Sequence, residues 1–231
     1  MPVASSNSPG PRSIIAHLTC EWRLKAMLYA VLTLAFGVPY LLLQRYPVLT
    51  PGRFELGTLD RWIGFSPAWL WVYQSAYLLI PIAPLLSRNR GELAVYARGF
   101  LIMTAVAIGF FVLMPIEAPR PLDVPRDGLW ALLLSYDRTI NTFPSLHVAM
   151  VTQSLCFAAW LAGARRARGV TLAMAGGIAW AALICYSTVA TKQHYAIDVP
   201  GGLVLGWLSH CCAVRVWRAV PKIIGEHVRI S

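Results

Sequence analysis

The sequence predicts an all-α fold, a bundle of six membrane-spanning helices with its active site at the outer membrane face. Three observations predict it. The 231-residue chain is 57% hydrophobic and only 13% charged, against roughly 25% charged for soluble domains. Its apolar residues gather in six runs that reach or nearly reach the length of a bilayer. Its basic residues cap the ends of those runs instead of forming a stripe, which sets aside a nucleic-acid partner despite a net charge of +10 and suits membrane orientation.

A spanning helix needs about 20 mostly apolar residues at about 1.5 Å each. The runs are Ala26–Leu43, Pro67–Leu86, Leu93–Met114, Pro144–Gly163, Val170–Val189 and Val199–Trp217. The first is short and can be extended at either end. Pro39, Pro81 and Pro84 interrupt the first two, which membrane helices tolerate when neighbours satisfy the freed carbonyls. The connections Gln44–Ser66 and Pro115–Phe143 are long, whereas Ser87–Glu92 and Ala164–Gly169 are short and basic. Within the first long connection, Thr58–Phe65 is amphipathic enough to lie along the interface. Residues 26–218 form the catalytic domain, between flexible cytoplasmic tails at 1–25 and 219–231. The opening MPVASSNSPGPRS is rich in Pro, Ser and Gly and reads as a disordered tail, not a cleaved signal. Of the five cysteines, Cys156, Cys185, Cys211 and Cys212 lie inside apolar runs, where they act as small hydrophobes.

Lysine and arginine set the orientation. The side that holds both termini and the two short loops carries thirteen basic residues against Glu21, Glu92 and Glu226. The other side carries seven of each sign. The basic side is cytoplasmic and the neutral side faces out, in an inner or plasma membrane.

On that outer side three points converge. Arg120 follows the third span. Ser145 and His147 of FPSLHVAM open the fourth, and His194 and Asp198 of TKQHYAIDVPGG lead into the sixth. His194 and Asp198 are four residues apart, one above the other if the helix has begun. A carboxylate on one ring nitrogen makes the other a better nucleophile. Pro144 suits a first helical position, followed by free amides that favour an anion. His147 can give a proton to a leaving oxygen, and Arg120 offers a planar fork to phosphate oxygens.

PSLH followed by Ser187, His194 and Asp198 in SxxxxxxHxxxD resembles the signature of the type 2 phosphatidic acid phosphatase superfamily. The form PSLHVA with HYAIDVPGG is similar to the branch that includes inositol phosphorylceramide synthases. The resemblance spans Pro119 to Gly202. It implies a six-helix membrane enzyme acting on lipid phosphates without metal or other cofactor. It also implies His194 as nucleophile, Asp198 as its partner, His147 as general acid, and Ser145 and Arg120 as phosphate binders.

Three positions depart from the family pattern: Leu113 replaces a lysine, Leu146 a glycine and Thr188 an arginine. Lys192 and Asn141 are the candidates to replace the lost phosphate contacts. Fewer cations suit a phosphodiester, with one negative charge, better than a phosphomonoester with nearly two. The expected partners are a lipid phosphate or phospholipid and the bilayer itself, with oligomeric state left open. A transporter or scaffold that keeps the fold is the alternative. It calls for ionisable groups at span centres, which apart from His210 are absent. A vanadate-dependent peroxidase use of the same site is set aside by the six spans.

Overall fold

The computed structural model describes residues 21–164 and 170–227, with side chains over 21–164 and 171–219. Residues 1–20 of the expected N-terminal tail, 228–231 of the C-terminal one and the arginine-rich loop at 165–169 therefore lie outside the described residues. The helices are α1 (Trp22–Arg45), α2 (Thr58–Trp62), α3 (Leu70–Gln74), α4 (Ala76–Leu85), α5 (Arg90–Leu113), α6 (Gly128–Tyr136), α7 (Leu146–Ala164), α8 (Val170–Ala190) and α9 (Asp198–His227), with a 3₁₀ turn at Pro67–Trp69 leading into α3. Six stretches among the described residues are long and apolar enough to cross a membrane: α1, the unit Pro67–Leu85, α5, α7, and most of α8 and α9. The protein is an all-α, integral membrane protein. Two isolated β-bridges, Gly52 to Ile116 and Glu117 to Ile140, tie the loops at one end of the bundle.

Helix α1 begins at Trp22, four residues before the predicted run, and so includes Arg23 and Lys25. The Lys25 ammonium is accommodated because it donates to the Leu85 carbonyl at 2.8 Å, a C-terminal carbonyl of α4 that attracts a cation. Helix α9 likewise continues past Trp217 to His227.

Helix α7 is central. It packs on α9, α4, α8 and α5, whereas α1 leans mainly on α5. Half of the most apolar stretch of α7 is buried, against 6% for α1, so α1 is the peripheral span. Polar cross-links serve the interior, where an unpaired group has no water to bond. Pro84 removes the amide that would bond the Ile80 carbonyl. That carbonyl instead accepts from Tyr96 Oη at 3.3 Å and Ser154 Oγ at 3.2 Å. Gln153 Nε2 donates to the Tyr96 carbonyl at 3.0 Å.

The contact between α7 and α9 is the tightest in the bundle, and glycines permit it. A Cβ on Gly202 would stand 2.5 Å from the Ser145 carbonyl oxygen, and one on Gly206 2.3 Å from that of Ala149. The spacing Gly-x-x-x-Gly places both on one helix face, where small residues let two backbones meet. Gly206→Ala should therefore force the helices apart and cost about 1–3 kcal/mol, the usual range for overpacking. Gly176→Ala on α8, where a Cβ meets nothing within 4 Å, serves as the control. Thermal unfolding in detergent should separate the two variants. Equal midpoints would show that the close approach is not needed.

Candidate active site

The site is built where α7 and α9 begin. Ser145 caps α7, its Oγ accepting from the Val148 amide at 3.4 Å. The helix starts at Leu146, so Pro144 precedes the cap and does not occupy the first helical position. A serine oxygen is the better partner for an end amide, and it takes the boundary. The Ser145 amide donates to the Asp198 carbonyl at 3.2 Å, which joins the two motif segments directly.

His194 stands in the turn before α9, not on the helix with Asp198. Helix α8 ends at Ala190, and Lys192 adopts a left-handed φ of 55°. The resulting turn brings His194 Nδ1 to 3.2 Å from Asp198 Oδ2 and 3.0 Å from the Thr142 carbonyl. The same Oδ2 accepts from the Tyr195 amide at 2.9 Å, and Asp198 is fully buried. Two oxygen acceptors on Nδ1 keep its hydrogen there and leave the lone pair on Nε2.

His147 is the second residue of α7. Its Nδ1 is 3.1 Å from Tyr73 Oη. Its ring stacks on Tyr73 with centroids 4.1 Å apart and meets the edge of Tyr77 at 5.2 Å. The His147 and His194 rings are 6.3 Å apart. Tyr73 belongs to the second span, and no motif in the sequence marks it.

Arg120 is held by a residue that no motif in the sequence marks. Its Nη2 donates to Asp137 Oδ2 at 2.9 Å and its Nη1 to the Asp137 carbonyl at 3.2 Å. Nη2 also donates to Gln193 Oε1. The other oxygen of Asp137 accepts from Gln44 Nε2 at 2.7 Å and Tyr40 Oη at 3.1 Å, both on α1. Glu117, near Arg120 in sequence, pairs instead with Arg53 at 2.8 Å. Asn141, with φ of 73°, is buried.

Lys192 is the predicted phosphate ligand that the structure places elsewhere. Its Nζ donates to the carbonyls of Asp60 and Ile63 at 2.5 and 2.6 Å. The Asp60 carboxylate accepts from the Gly57 amide at 3.0 Å and from the Ala196 amide at 2.7 Å. Lysine and aspartate thus clasp the α2 segment to the turn that carries His194. Burial pushes the Lys192 ammonium below the ordinary lysine range, and the Asp60 carboxylate opposes that shift. Asp60 carries no sequence signal beyond its place at the start of an amphipathic stretch. At Thr188, where the family pattern has arginine, the hydroxyl turns back to the Cys185 carbonyl at 2.8 Å.

Two adjoining cavities share His194, Asn141, Asp137 and Tyr73. One adds His147 and the other Arg120 and Gln193. Lys192 lines neither. Around them four buried polar atoms have no hydrogen-bond partner: Arg120 Nε, both side-chain ends of Asn141, and His147 Nε2. Each such group costs about 1–3 kcal/mol when left unpaired; a ligand rich in oxygen acceptors relieves that cost at the nitrogens, and Asn141 Oδ1 calls for a donor. Among the described residues no three His, Cys, Asp or Glu side chains stand together as metal ligands.

The family model described as the PAP2 superfamily matches residues 59–212. Among solved structures, the crystal structure of LpxE from Aquifex aeolicus is similar, with 18% sequence identity and a TM-score of 0.49 over 68% of this chain and 93% of that one. No curated protein matches the chain significantly.

The clasp generates a discriminating prediction. Lys192→Met should leave two buried carbonyls unpaired and lower stability by about 1–3 kcal/mol, read as a fall in unfolding midpoint, with inhibition by inorganic phosphate unchanged. A phosphate ligand would behave in the opposite way, with stability intact and phosphate inhibition weakened.

Proposed function

The chain belongs to the PAP2 superfamily, and on that premise we propose that it is a lipid phosphatase or phosphotransferase working through a phosphohistidine on His194. The observation that carries this reading is the state of the His194 ring. Asp198 and the Thr142 carbonyl both take Nδ1, so Nε2 is the nucleophilic atom.

The chemistry follows from these residues. The Nε2 lone pair of His194 forms a bond to phosphorus as the bond from phosphorus to the leaving oxygen breaks. Asp198 stabilises the imidazolium that results. His147, with Nδ1–H donated to Tyr73 Oη, gives its Nε2 proton to the leaving oxygen. The negative charge of the bound phosphate favours that protonated form. His147 then accepts a proton from water or an alcohol, whose oxygen attacks phosphorus. The bond to His194 breaks and its lone pair returns. Arg120 and Asn141 supply donors to the phosphoryl oxygens. Ser145 serves mainly by capping α7 and placing His147, and Lys192 by holding the His194 turn. The charge asymmetry supports placing this site on the non-cytoplasmic side, since the loops around it carry no net charge.

Asp137 favours headgroup transfer, as in the inositol phosphorylceramide synthase-like branch, over plain hydrolysis. It lines both cavities and faces Arg120 with a full countercharge. With Lys192 withdrawn, the site offers little net positive charge. A phosphodiester carries one negative charge and a phosphomonoester about 1.5 to 2 at neutral pH, so the diester is the easier guest.

Purified protein incubated with phosphatidic acid and with phosphodiester phospholipids, with and without an alcohol acceptor, should release products that mass spectrometry assigns to hydrolysis or transfer. His194→Ala should abolish turnover while the protein still folds. Asp198→Asn should leave a weak residue of activity, because an orienter contributes less than a nucleophile. Wild-type rates in the His194 variant would end the covalent mechanism.

Asp137→Asn tests the charge argument separately. It should shift the ratio of kcat/KM for monoester over diester upward by about tenfold, the effect of roughly 1.4 kcal/mol of relieved repulsion. An unchanged ratio would remove Asp137 from substrate selection.

A further inference from the structure

A groove descends from the candidate active site between α1 and α4, and we infer that it binds an acyl chain of the lipid substrate and sets its preferred length. This inference rests on the lipid-phosphate reading given above. The groove has apolar walls. On α1 the lining residues are Lys25, Leu28, Tyr29, Leu32, Thr33 and Phe36, a stripe at helical spacing on one face. On α4 they are Tyr77, Ile80, Pro81 and Pro84, a matching stripe on a helix that runs the opposite way. Tyr96 and Phe100 of α5 form the floor.

Two features make this more than a gap between spans. The first is continuity. Phe36 and Tyr77 line both the groove and the cavity that holds His147 and His194. Tyr77 also meets the His147 ring edge-on at 5.2 Å. A phosphate at His194 therefore delivers its lipid tail to the open end of the groove. The second is the far end. Lys25 lines it, with its ammonium drawn onto the Leu85 carbonyl at 2.8 Å. A polar pair there is a poor neighbour for further methylenes and marks where an apolar occupant stops.

Geometry sets the length. From Phe36 to Lys25 is eleven residues of α1, about 16 Å at the helical rise, which is close to half of the roughly 30 Å hydrocarbon thickness of a bilayer. The groove itself is thus about as long as one leaflet is thick. The packing of α1 allows entry from the side: it meets α4 only sparsely, and its apolar stretch is the least buried of the six spans.

The experiment compares dibutyryl with dioleoyl phosphatidic acid in mixed micelles at equal surface fraction. Thr33→Trp fills the middle of the groove, and Leu34→Trp places the same ring on a neighbouring position outside the lining. Thr33→Trp should lower kcat/KM for the dioleoyl substrate by about tenfold or more, since each displaced methylene loses its burial. It should leave the dibutyryl substrate within about twofold, an effect below 0.5 kcal/mol, and Leu34→Trp should leave both unchanged. Equal effects of Thr33→Trp on the two substrates, or none, would overturn the groove while leaving the phosphatase reading in place. A wild type inert toward both lipids would instead count against monoester hydrolysis, one arm of the functional reading. The groove then stands or falls on binding alone, as a long-chain phosphatidic acid with a photoreactive chain terminus should label the Lys25–Leu32 segment. Labelling elsewhere on the protein contradicts it.

Discussion

Because positions 202 and 206 carry no side chain, α9 approaches α7 until its backbone faces the carbonyls of Ser145 and Ala149. That approach lets the Ser145 amide reach the Asp198 carbonyl. It sets the start of one helix against the start of the other. From this the rest of the site follows. Asp198 is buried at the joint, His194 is drawn onto it from the preceding turn, and His147 projects from the first turn of α7 into the same cavity. Phe143 and Pro144 lie over Gly201, where a Cβ would come within 3.0 Å of the Phe143 ring. Gly201, Gly202 and Gly206 of α9 thus face the segment that carries His147.

The polar economy around that joint is unusually self-contained. Arg120 has its charge answered by Asp137, which is itself held by two donors from α1. A buried pair of this kind contributes little to stability on its own, since desolvation offsets the attraction. Its larger consequence is positional and electrostatic. It fixes the guanidinium, ties the most peripheral span to the site and lowers the local positive potential. Lys192 follows the same logic in a different place. A cation that was free to meet a phosphate is spent on two backbone carbonyls, and the His194 turn gains a brace.

How much of this was legible in the sequence depends on the kind of signal involved. The six spans were legible because bilayer thickness imposes a run length that composition displays. Their ends were less so: α1 starts early because Lys25 finds the Leu85 carbonyl, a partner sixty residues away that no local pattern announces. The joint placement of Arg120, Ser145, His147, His194 and Asp198 around one end of the bundle was legible from topology. Tyr73, Asp137 and Asp60 were not, because each acts through a long-range contact. Lys192 misled for a related reason. Its nearness in sequence to His194 suggested a common target, but the left-handed turn sends its stem toward α2.

The central claim is covalent catalysis by His194, and trapping the intermediate tests it most directly. Wild-type protein mixed with a lipid phosphate labelled at phosphorus would be quenched with base within one turnover, and the peptides sequenced by mass spectrometry. The account predicts a base-stable, acid-labile phosphoryl group on His194, absent when His194 is replaced. Turnover with no phosphoprotein at any time point, or a label on Ser145 or another side chain, would contradict it.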